Sequence, residues 1–349
     1  MPEAHRVMIS PAMRAQLPWS TTDEITEALR GNRPVVALES TVLTHGLPRA
    51  PRTMSAKFTS AHPSCVSHSG ISHSGNSDRP TNLATATAVE AQVRAHGAIP
   101  ATIAVIDGQI RVGLTNTQLE QLCSNRDASK ISTRDLGSAI ARKRTGGTTV
   151  ASTTAIANLA GISVFATGGI GGVHRGWGQT LDISADLMAL ATNPTLVVCA
   201  GAKILLDLPA TLEALETLGV PMIGFRTKYL PRFTVPADEA IPLADSVESA
   251  VEVARFIAAH WSIAPSCGAL LVQACPAEFA LPAAEIEGAL AIALADAVAL
   301  GIRGAATTPF LLERLATAVE GGMVIEANIA LLMANAALAA DVAVALSNP

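Results

Sequence analysis

A short part of the sequence, residues 165–203, gathers residue types that can bind an anion and carry out amine chemistry. It contains a glycine-rich turn, a histidine–arginine pair, two aspartates and a lysine: Gly168, Gly169, Gly171, Gly172, His174, Arg175, Asp182, Asp186 and Lys203. Lys203 closes an apolar run, as a lysine at the end of a buried strand would. Loss of hydration there would lower the pKa of its amine and free it to attack a carbonyl carbon. A solvated lysine is the simpler interpretation of Lys203 alone, but its neighbours favour the reactive one.

The glycine-rich turn satisfies neither common nucleotide-binding motif. The pattern G-x-G-x-x-G, begun at Gly169, needs a glycine where His174 stands, and no G-x-x-x-x-G-K-[ST] motif occurs. Glycines after an apolar strand often serve only to turn the chain, because glycine tolerates positive φ at little cost. The alternative is a nest of backbone N–H groups that holds a phosphate beside Arg175.

Glu39 is a second candidate for chemistry. It directly follows residues 34–38, an apolar run typical of a buried strand. Open α/β sheets place their catalytic groups at the carboxyl ends of strands, and burial there would raise the pKa of a glutamate and suit it to acid catalysis. A glutamate that caps a loop or pairs with an arginine is an equally good interpretation of this residue alone.

The elements that must position these groups alternate along the chain. Predicted strands are residues 34–38, 100–106, 149–151, 164–166, 196–200 and 221–225, with a hairpin at Asp107-Gly108 and a helix at residues 84–95 that turns Val89 and Val93 inward. This alternation predicts a layered α/β/α domain.

Composition excludes several classes of protein. A net charge of −5 and 3% aromatic residues provide no basic face or stacking platform for nucleic acid. The apolar runs at residues 288–302 and 330–346 are too short or too interrupted to cross a bilayer, and they predict alanine-rich packed helices.

The five cysteines show no C-x-x-C spacing, which favours a reducing compartment. Because acids accompany the N-terminal arginines, the targeting signal is weak, so the predicted location is cytoplasmic, with mitochondrial or peroxisomal as alternatives.

Residues 52–81 break this pattern. Serine, histidine, glycine and proline dominate them without an apolar period, which predicts a disordered, low-complexity insertion that buries little surface. Its His62, Cys65, His68 and His73 match no zinc spacing.

Eight ordered segments resemble the pseudouridine-5′-phosphate glycosidase family, also called the indigoidine-synthase-A-like family. They are VVALESTVLTHG (35–46), IPATIA (99–104), KISTRDL (130–136), GTTVAS (147–152), residues 165–187, VVCAGAK (197–203), TPFLL (308–312) and EANIA (326–330). The resemblance implies one α/β domain of three-layer α/β/α type over residues 21–349, preceded by a tail at residues 1–20 and interrupted at about residues 52–81.

The resemblance also implies an activity. Family members cleave pseudouridine 5′-phosphate to uracil and ribose 5-phosphate, with a divalent ion that is usually Mn²⁺, as homotrimers, and the enzyme is classed with the carbon–oxygen lyases. The glycosidic bond that is broken joins a carbon of the ribose to a carbon of uracil, so the base cannot depart through a ring nitrogen as it does in ordinary nucleosides. The enzyme must instead open the sugar and create an electron sink.

Individual residues match the family's functional positions. Lys203 matches the nucleophile that forms a ring-opened imine adduct with the sugar, and Glu39 matches the proton donor. Asp182 matches the metal-binding carboxylate, an oxygen ligand that suits Mn²⁺. Substrate-contacting positions are matched by Lys130, Val150, Ser184, Ala185 and Asp186, and less closely by His174 and Asn328. The resemblance makes Lys130 a phosphate partner, and the amide of Asn328 could pair with the uracil edge.

The chain departs from the family in several places. The insertion separates two flanks that would join as one continuous segment, which suggests a translated intervening segment or a gene-prediction error; sequencing the mature transcript tests this hypothesis. Ile204, Arg226 and the Gln273-Ala274 pair also differ from the usual residues.

Two other functions stay open: a different Schiff-base phosphosugar lyase that needs no metal, and an inactive relative that serves as a scaffold or binder. Eukaryotic relatives often carry a following sugar-kinase domain, and since the sequence stops at Pro349 no kinase activity is expected.

Overall fold

The computed structural model of the chain describes residues 18–62, 79–302, 307–318 and 322–347. The strands are β1 (Trp19–Thr21), β2 (Val35–Leu38), β3 (Ile99–Ile106), β4 (Gln109–Val112), β5 (Ser129–Ile131), β6 (Gly146–Thr148), β7 (Val164–Ala166), β8 (Leu196–Cys199), β9 (Met222–Phe225), β10 (Tyr229–Arg232), β11 (Val235–Pro242), β12 (Asp245–Val247) and β13 (Ala269–Val272). The helices are α1 (Asp23–Arg30), α2 (Ala56–Ala61), α3 (Thr81–Ala95), α4 (Asn116–Ser124), α5 (Leu136–Ala141), α6 (Val150–Ala160), α7 (Trp177–Thr180), α8 (Ala185–Thr192), α9 (Leu208–Thr217), α10 (Ala250–Ile263), α11 (Ala283–Ala299), α12 (Thr307–Ala318) and α13 (Met323–Ser347). The predicted tail lies outside the described residues as far as residue 17.

Most of the strands join one sheet. Its order is β1-β4-β3-β2-β7-β8-β13-β9-β12, with β6 beside β3 and β5 beside β6, while β10 and β11 form a separate hairpin. The central strands from β3 to β9 in this order run parallel. Every residue of β2, β7, β8 and β13 is buried, as expected for a parallel sheet that is covered on both faces.

Helices cover both faces because the chain changes direction across the sheet. It steps from β2 to β3 through α3, and in the opposite direction from β7 to β8 through α8. Such crossovers are right-handed, so two that step in opposite directions place their helices on opposite faces. Helix α3 packs against α13, and α8 packs against α6, which completes the two outer layers. The predicted three-layer α/β/α fold is therefore confirmed, and its switch point, where ligands bind in such sheets, lies between β2 and β7.

Helix α13 is the core helix of one layer. Among the described residues it alone is long and apolar enough to cross a membrane, and 67% of its most apolar stretch is buried. It packs against β2, β7 and β8, so burial against the sheet accounts for its composition. The prediction of packed alanine-rich helices is confirmed, although α13 extends further than the apolar run at residues 330–346.

Two local predictions have opposite outcomes. Asp107 and Gly108, with φ of 51° and 76°, turn β3 into the antiparallel strand β4, as predicted. The predicted strand at residues 149–151 is wrong, because Thr149 is the extended residue before α6, which begins at Val150. The run of β-branched residues there resembles a strand, but the N–H of Thr153 already donates to the Thr149 carbonyl oxygen in helical fashion.

The first part of the insertion also differs from its prediction. Met54 and Phe58 are 4% and 0% exposed, and Ser55 caps helix α2. The Phe58 ring packs against that of Phe279 with 5.5 Å between centroids, and the Ser55 backbone N–H and Oγ donate to the Glu326 carboxylate over 2.5 and 2.7 Å. Burial of a phenylalanine contributes about 1.5–3 kcal/mol. The prediction that this segment buries little surface is therefore wrong here, since a single aromatic side chain attaches it to the core.

The other part of the insertion stays a prediction. Residues 63–78, with Cys65, His68 and His73, lie outside the described residues.

Candidate active site

Glu39 lies at the switch point of the sheet, directly after β2. Its Oε1 accepts a short hydrogen bond from Oγ1 of Thr167, the residue that follows β7. Burial raises the pKa of Glu39, and the opposing effects of the Lys203 charge and the Thr167 hydrogen bond are smaller. The predicted direction of this pKa shift is confirmed. Glu39 therefore keeps its proton to a higher pH than an ordinary glutamate and is suited to donate it.

Lys203 reaches the same place from the end of β8 through a tight turn. Gly201 has φ of +85°, and a Cβ there would lie only 2.2 Å from the carbonyl oxygen of Pro231, so the turn requires glycine. The turn is held by the Lys203 backbone N–H, which donates to the carbonyl oxygen of Ile170 over 3.1 Å. As a result, Lys203 lines the same cavity as Glu39.

This cavity has a volume of about 500 Å³ and lies at the carboxyl ends of the strands. The predicted residues that line it are Glu39, Lys130, Val150, His174, Asp182, Ser184, Ala185, Asp186 and Lys203. Asn328 lines an adjoining cavity of about 120 Å³ instead, which shares Glu39, Lys130 and Lys203 with the larger one. The structure thus brings the predicted site residues together in two adjoining compartments.

Asp186 braces the floor of the larger cavity. Its Oδ1 accepts a hydrogen bond from the backbone N–H of Ala151 over 2.9 Å, and its Oδ2 accepts one from Gly171 over 2.8 Å. The Gly171 N–H therefore does not point to a bound phosphate, as the glycine-rich turn suggested, but to an internal carboxylate. Gly171 must also be small, because a Cβ there would lie 2.4 Å from Oγ of Ser184.

Positive groups face Glu39 across the cavity. Loss of solvation lowers the pKa of Lys130, and the charge of Lys203 lowers it further. Helix α6 begins at Val150, so its N-terminal end also lines the cavity. Its dipole favours an anion there, and the carboxylate of Asp186, which accepts from the Ala151 N–H, already provides one. Arg134, whose side chain is 81% exposed, stands at the mouth. This arrangement suits a phosphorylated ligand.

His174 and Asp182 form one wall of the cavity. The His174 backbone N–H donates to the carbonyl oxygen of Asp182 over 3.0 Å. Burial lowers the pKa of His174, and the negative charge of Asp182 only partly opposes this effect. The imidazole is therefore neutral at pH 7 and can both donate and accept hydrogen bonds.

A divalent ion at Asp182 is compatible with the donors present. A carboxylate oxygen suits a hard cation such as Mn²⁺. Within the described ranges, no group of three or more His, Cys, Asp or Glu side chains could hold a metal ion. A cation held by a single carboxylate completes its coordination with water and substrate oxygens. The site fits an ion of this kind and not one enclosed by protein ligands.

Thr167, which donates to Glu39, has no role in the sequence predictions. Residues that line the two cavities and also lack a predicted role include Thr41, Thr149, Leu205, Leu206 and Phe233. Thr167 follows the predicted strand at residues 164–166, which marks it as a strand-end residue. Its link to Glu39 depends on β7 lying beside β2, and the sequence pattern does not reveal the strand order.

A doubly covered parallel sheet with a buried acid and a lysine at its switch point defines an α/β protein of enzyme type. The sequence profile described as "Indigoidine synthase A like protein" matches residues 24–72 and 66–345. The chain belongs to this family.

Similar proteins support the assignment in sequence and in structure. A "Pseudouridine-5′-phosphate glycosidase" of Herpetosiphon aurantiacus is 49% identical over 93% of this chain and 96% of the relative, and one of Caldanaerobacter subterraneus is 44% identical with the same coverages. The solved structure of the prealnumycin C-glycosynthase AlnA in complex with ribulose 5-phosphate is 38% identical, with a TM-score of 0.79 over 95% of this chain and 98% of that one. An indigoidine synthase A-like protein from Thermotoga maritima is 29% identical, with a TM-score of 0.76 over 95% and 97%.

Proposed function

We propose that this protein cleaves the C–C glycosidic bond of pseudouridine 5′-phosphate to give uracil and ribose 5-phosphate. One observation carries the proposal: Glu39, Lys203 and Lys130 line a single cavity of about 500 Å³ at the switch point of the sheet. The names of the relatives, and the sugar phosphate bound to AlnA, support a sugar-phosphate substrate and chemistry at a C-glycosidic bond.

The proposed reaction divides between an amine and an acid. The Nζ of Lys203 forms a bond to C1′ of the ribose, and the C1′–O4′ bond breaks as O4′ takes up a proton. A proton delivered to C5 of uracil then allows the C1′–C5 bond to break, while the lysine nitrogen lone pair forms an imine with C1′. Water hydrolyses the imine, which releases ribose 5-phosphate and restores the amine.

Glu39 is the proposed proton donor. Since burial raises its pKa, it holds the proton that O4′ or C5 must receive. Lys130 is the proposed phosphate partner, and Ser184, Ala185 and Asp186 are the proposed neighbours of the sugar. Val150 and His174 line the same space, and Asn328, which lines the smaller compartment, is the proposed partner of the base.

A divalent ion, for which Mn²⁺ is proposed, would be held by Asp182. When bound, such an ion neutralises charge on the substrate's oxygens. Asp182→Asn should raise the Mn²⁺ concentration needed for half-maximal binding of ribose 5-phosphate, as measured by calorimetry. Glu120→Gln, at a surface position on α4, is the control.

Release of uracil tests the function. Purified full-length protein is incubated with pseudouridine 5′-phosphate and Mn²⁺, and uridine 5′-phosphate, which has a C–N bond, is the control substrate. Uracil from the first and none from the second is the expected result. No turnover of pseudouridine 5′-phosphate would favour an inactive scaffold or binder, and cleavage without any metal would favour a different Schiff-base lyase.

Two deletions test the insertion in the same assay. One lacks residues 52–81, and the other replaces only residues 63–78 with a glycine–serine linker, so that Phe58 and Ser55 keep their contacts with Phe279 and Glu326. We expect the second variant to retain turnover. Activity that appears only after deletion would mean that the insertion disables the chain.

The protein is proposed to form a homotrimer and to be located in the cytoplasm. Among the exposed apolar side chains of the described residues, two groups lie close together in sequence: Trp177, Leu181, Ile183 and Met188, of which Ile183 lines the site, and Ile292, Val298 and Leu300 on and after α11. A threefold ring needs two complementary surfaces on each subunit, and exposed apolar patches mark such surfaces. Sedimentation should show a trimer that Leu181→Glu dissociates, whereas Val251→Glu, outside both groups, leaves it intact.

A further inference from the structure

A line of buried hydrogen bonds leads from helix α13 to the acid of the site. Asn335 donates its Nδ2 to the carbonyl oxygen of Thr167 over 2.8 Å and to that of Gly168 over 3.4 Å. Its Oδ1 accepts a hydrogen bond from Nε2 of Gln273 over 2.9 Å. Thr167 in turn donates its Oγ1 to Glu39. The line therefore joins α13 to the ends of β13, β7 and β2.

Asn335 is an unusual residue for its position. It is 1% exposed and lies in the most apolar helix of the protein, where an amide without hydrogen bonds would be costly. A leucine or alanine, like most of its neighbours on α13, would pack there without any polar requirement. Its hydrogen bonds also fix which way the amide points, because the carbonyl oxygens of Thr167 and Gly168 can only accept.

We propose that Asn335 is a positioning residue for Glu39. It acts through the backbone of Thr167, whose side chain donates a hydrogen bond to Glu39. By holding the Thr167 carbonyl oxygen, Asn335 fixes the peptide from which Oγ1 reaches Glu39. Gln273 fixes the Asn335 amide in turn. The assignment of Glu39 to acid catalysis rests on the proposed function, but the hydrogen bonds do not.

This arrangement has a consequence for the titration of Glu39. A hydrogen bond donated to a carboxylate favours its charged form, so the Thr167 contact lowers the pKa of Glu39 against the larger effect of burial. The charges of Lys203 and Lys130 also lower this pKa and that of Asp186 raises it, and the variants below leave all three groups in place. Loss of the contact leaves burial less opposed, and the pKa of Glu39 rises further. If Asn335 acts through Thr167, its loss must shift the same titration in the same direction.

The test measures the pH dependence of uracil release for Thr167→Val, Asn335→Leu and the double variant. We expect the limb of the pH profile at which Glu39 loses its proton to move up by roughly 1 pH unit in Thr167→Val, the difference between a hydrogen bond to a charged and one to a neutral carboxyl group. Asn335→Leu should move it the same way by less. The double variant should match Thr167→Val alone, because both act on one contact, and Thr167→Ser should restore the original limb.

A matched control and a second readout separate this role from a purely structural one. Thr102→Val removes an equivalent threonine hydrogen bond to another buried carboxylate, that of Glu90, and should leave the limb in place. Gln273→Met removes the donor to Asn335 at a half-buried position, so it still reports if Asn335→Leu does not fold. Infrared spectra of the unliganded protein follow the same titration without any need for turnover. The band of the protonated Glu39 carboxyl group is identified there by its absence in Glu39→Gln.

The outcomes are distinct. No uracil release by the wild-type protein would overturn the proposed function, yet the infrared titration would still decide the role of Asn335. An unchanged titration in Asn335→Leu and Gln273→Met, together with lowered thermal stability, would overturn the inference. So would a shift in the double variant equal to the sum of the two single shifts.

Discussion

Two buried glutamates, Glu39 and Glu90, share a raised pKa and a threonine hydrogen-bond donor, but only Glu39 lies beside a cavity with a lysine. Burial raises the pKa of both carboxyl groups, and each accepts a hydrogen bond from a threonine hydroxyl, Thr167 for Glu39 and Thr102, over 2.5 Å, for Glu90. Glu39 lines two cavities beside Lys203. Glu90 lies on α3 against β3 and lines neither of these cavities among the described residues.

The difference shows what a catalytic acid needs beyond a raised pKa. Burial raises the pKa of a carboxyl group even where a threonine donor, which favours the charged form, opposes it. Only at the switch point does such a group also meet an amine and enough space for a substrate. Burial raises the pKa of Glu90 as well, but Glu90 lacks the cavity, so it provides a control for Glu39 within one chain.

The largest effect is expected from the amine that only the Glu39 region holds. Lys203→Arg keeps the positive charge but removes the nucleophile, and turnover should fall by at least about 10³-fold. Uracil release measures this loss, with Lys228→Arg, an exposed position, as the control. Retention of more than a tenth of the wild-type rate would exclude Lys203 as the nucleophile.

The next effect separates the two glutamates. Glu39→Gln removes the acid and should lower turnover by roughly 10²- to 10⁴-fold, the range for a general acid. Glu90→Gln should leave turnover within about twofold, because its carboxyl group is outside both cavities. Equal losses in the two variants would mean that the Glu39 loss reflects disturbed structure and not lost acid catalysis.

The smallest effect is one that the two glutamates should share. Because the folded state raises the pKa of Glu90, its stabilising contribution is complete below the unfolded pKa and disappears as pH rises through the folded value. A glutamine at position 90 does not titrate. The melting temperature of Glu90→Gln relative to wild type should therefore increase from pH 5 to pH 8, as measured by calorimetry.

The same trend should appear in Glu39→Gln, for the same reason. The two variants would then show the same pH trend in melting temperature but different turnover. A melting-temperature difference for Glu90→Gln that falls as pH rises would contradict the raised pKa of Glu90.

The sequence predicts a large part of this site because strand ends are visible in it. Glu39 and Lys203 each follow an apolar run, and parallel strands bring such positions to one edge of the sheet. The location of Asp182, Ser184 and Asp186 on the cavity wall follows from the resemblance to the family.

What the sequence does not predict depends on contacts between distant segments. Thr167 and Asn335 become important only once β7 lies beside β2 and α13 lies under both. Gly171 looks like a phosphate-binding glycine until Asp186 is seen to accept its N–H. Phe58 is a lone aromatic in a polar segment, and only the position of Phe279 shows that it is buried.

The most direct test of the account is to trap the amine adduct. The full chain is incubated with ribose 5-phosphate and borohydride, digested, and its peptides are mapped by mass spectrometry. We expect a reduced sugar-phosphate adduct on Lys203 that is absent from Lys203→Arg and undiminished in Glu90→Gln. An adduct on Lys130 instead, or none in a wild-type protein that releases uracil, would contradict it.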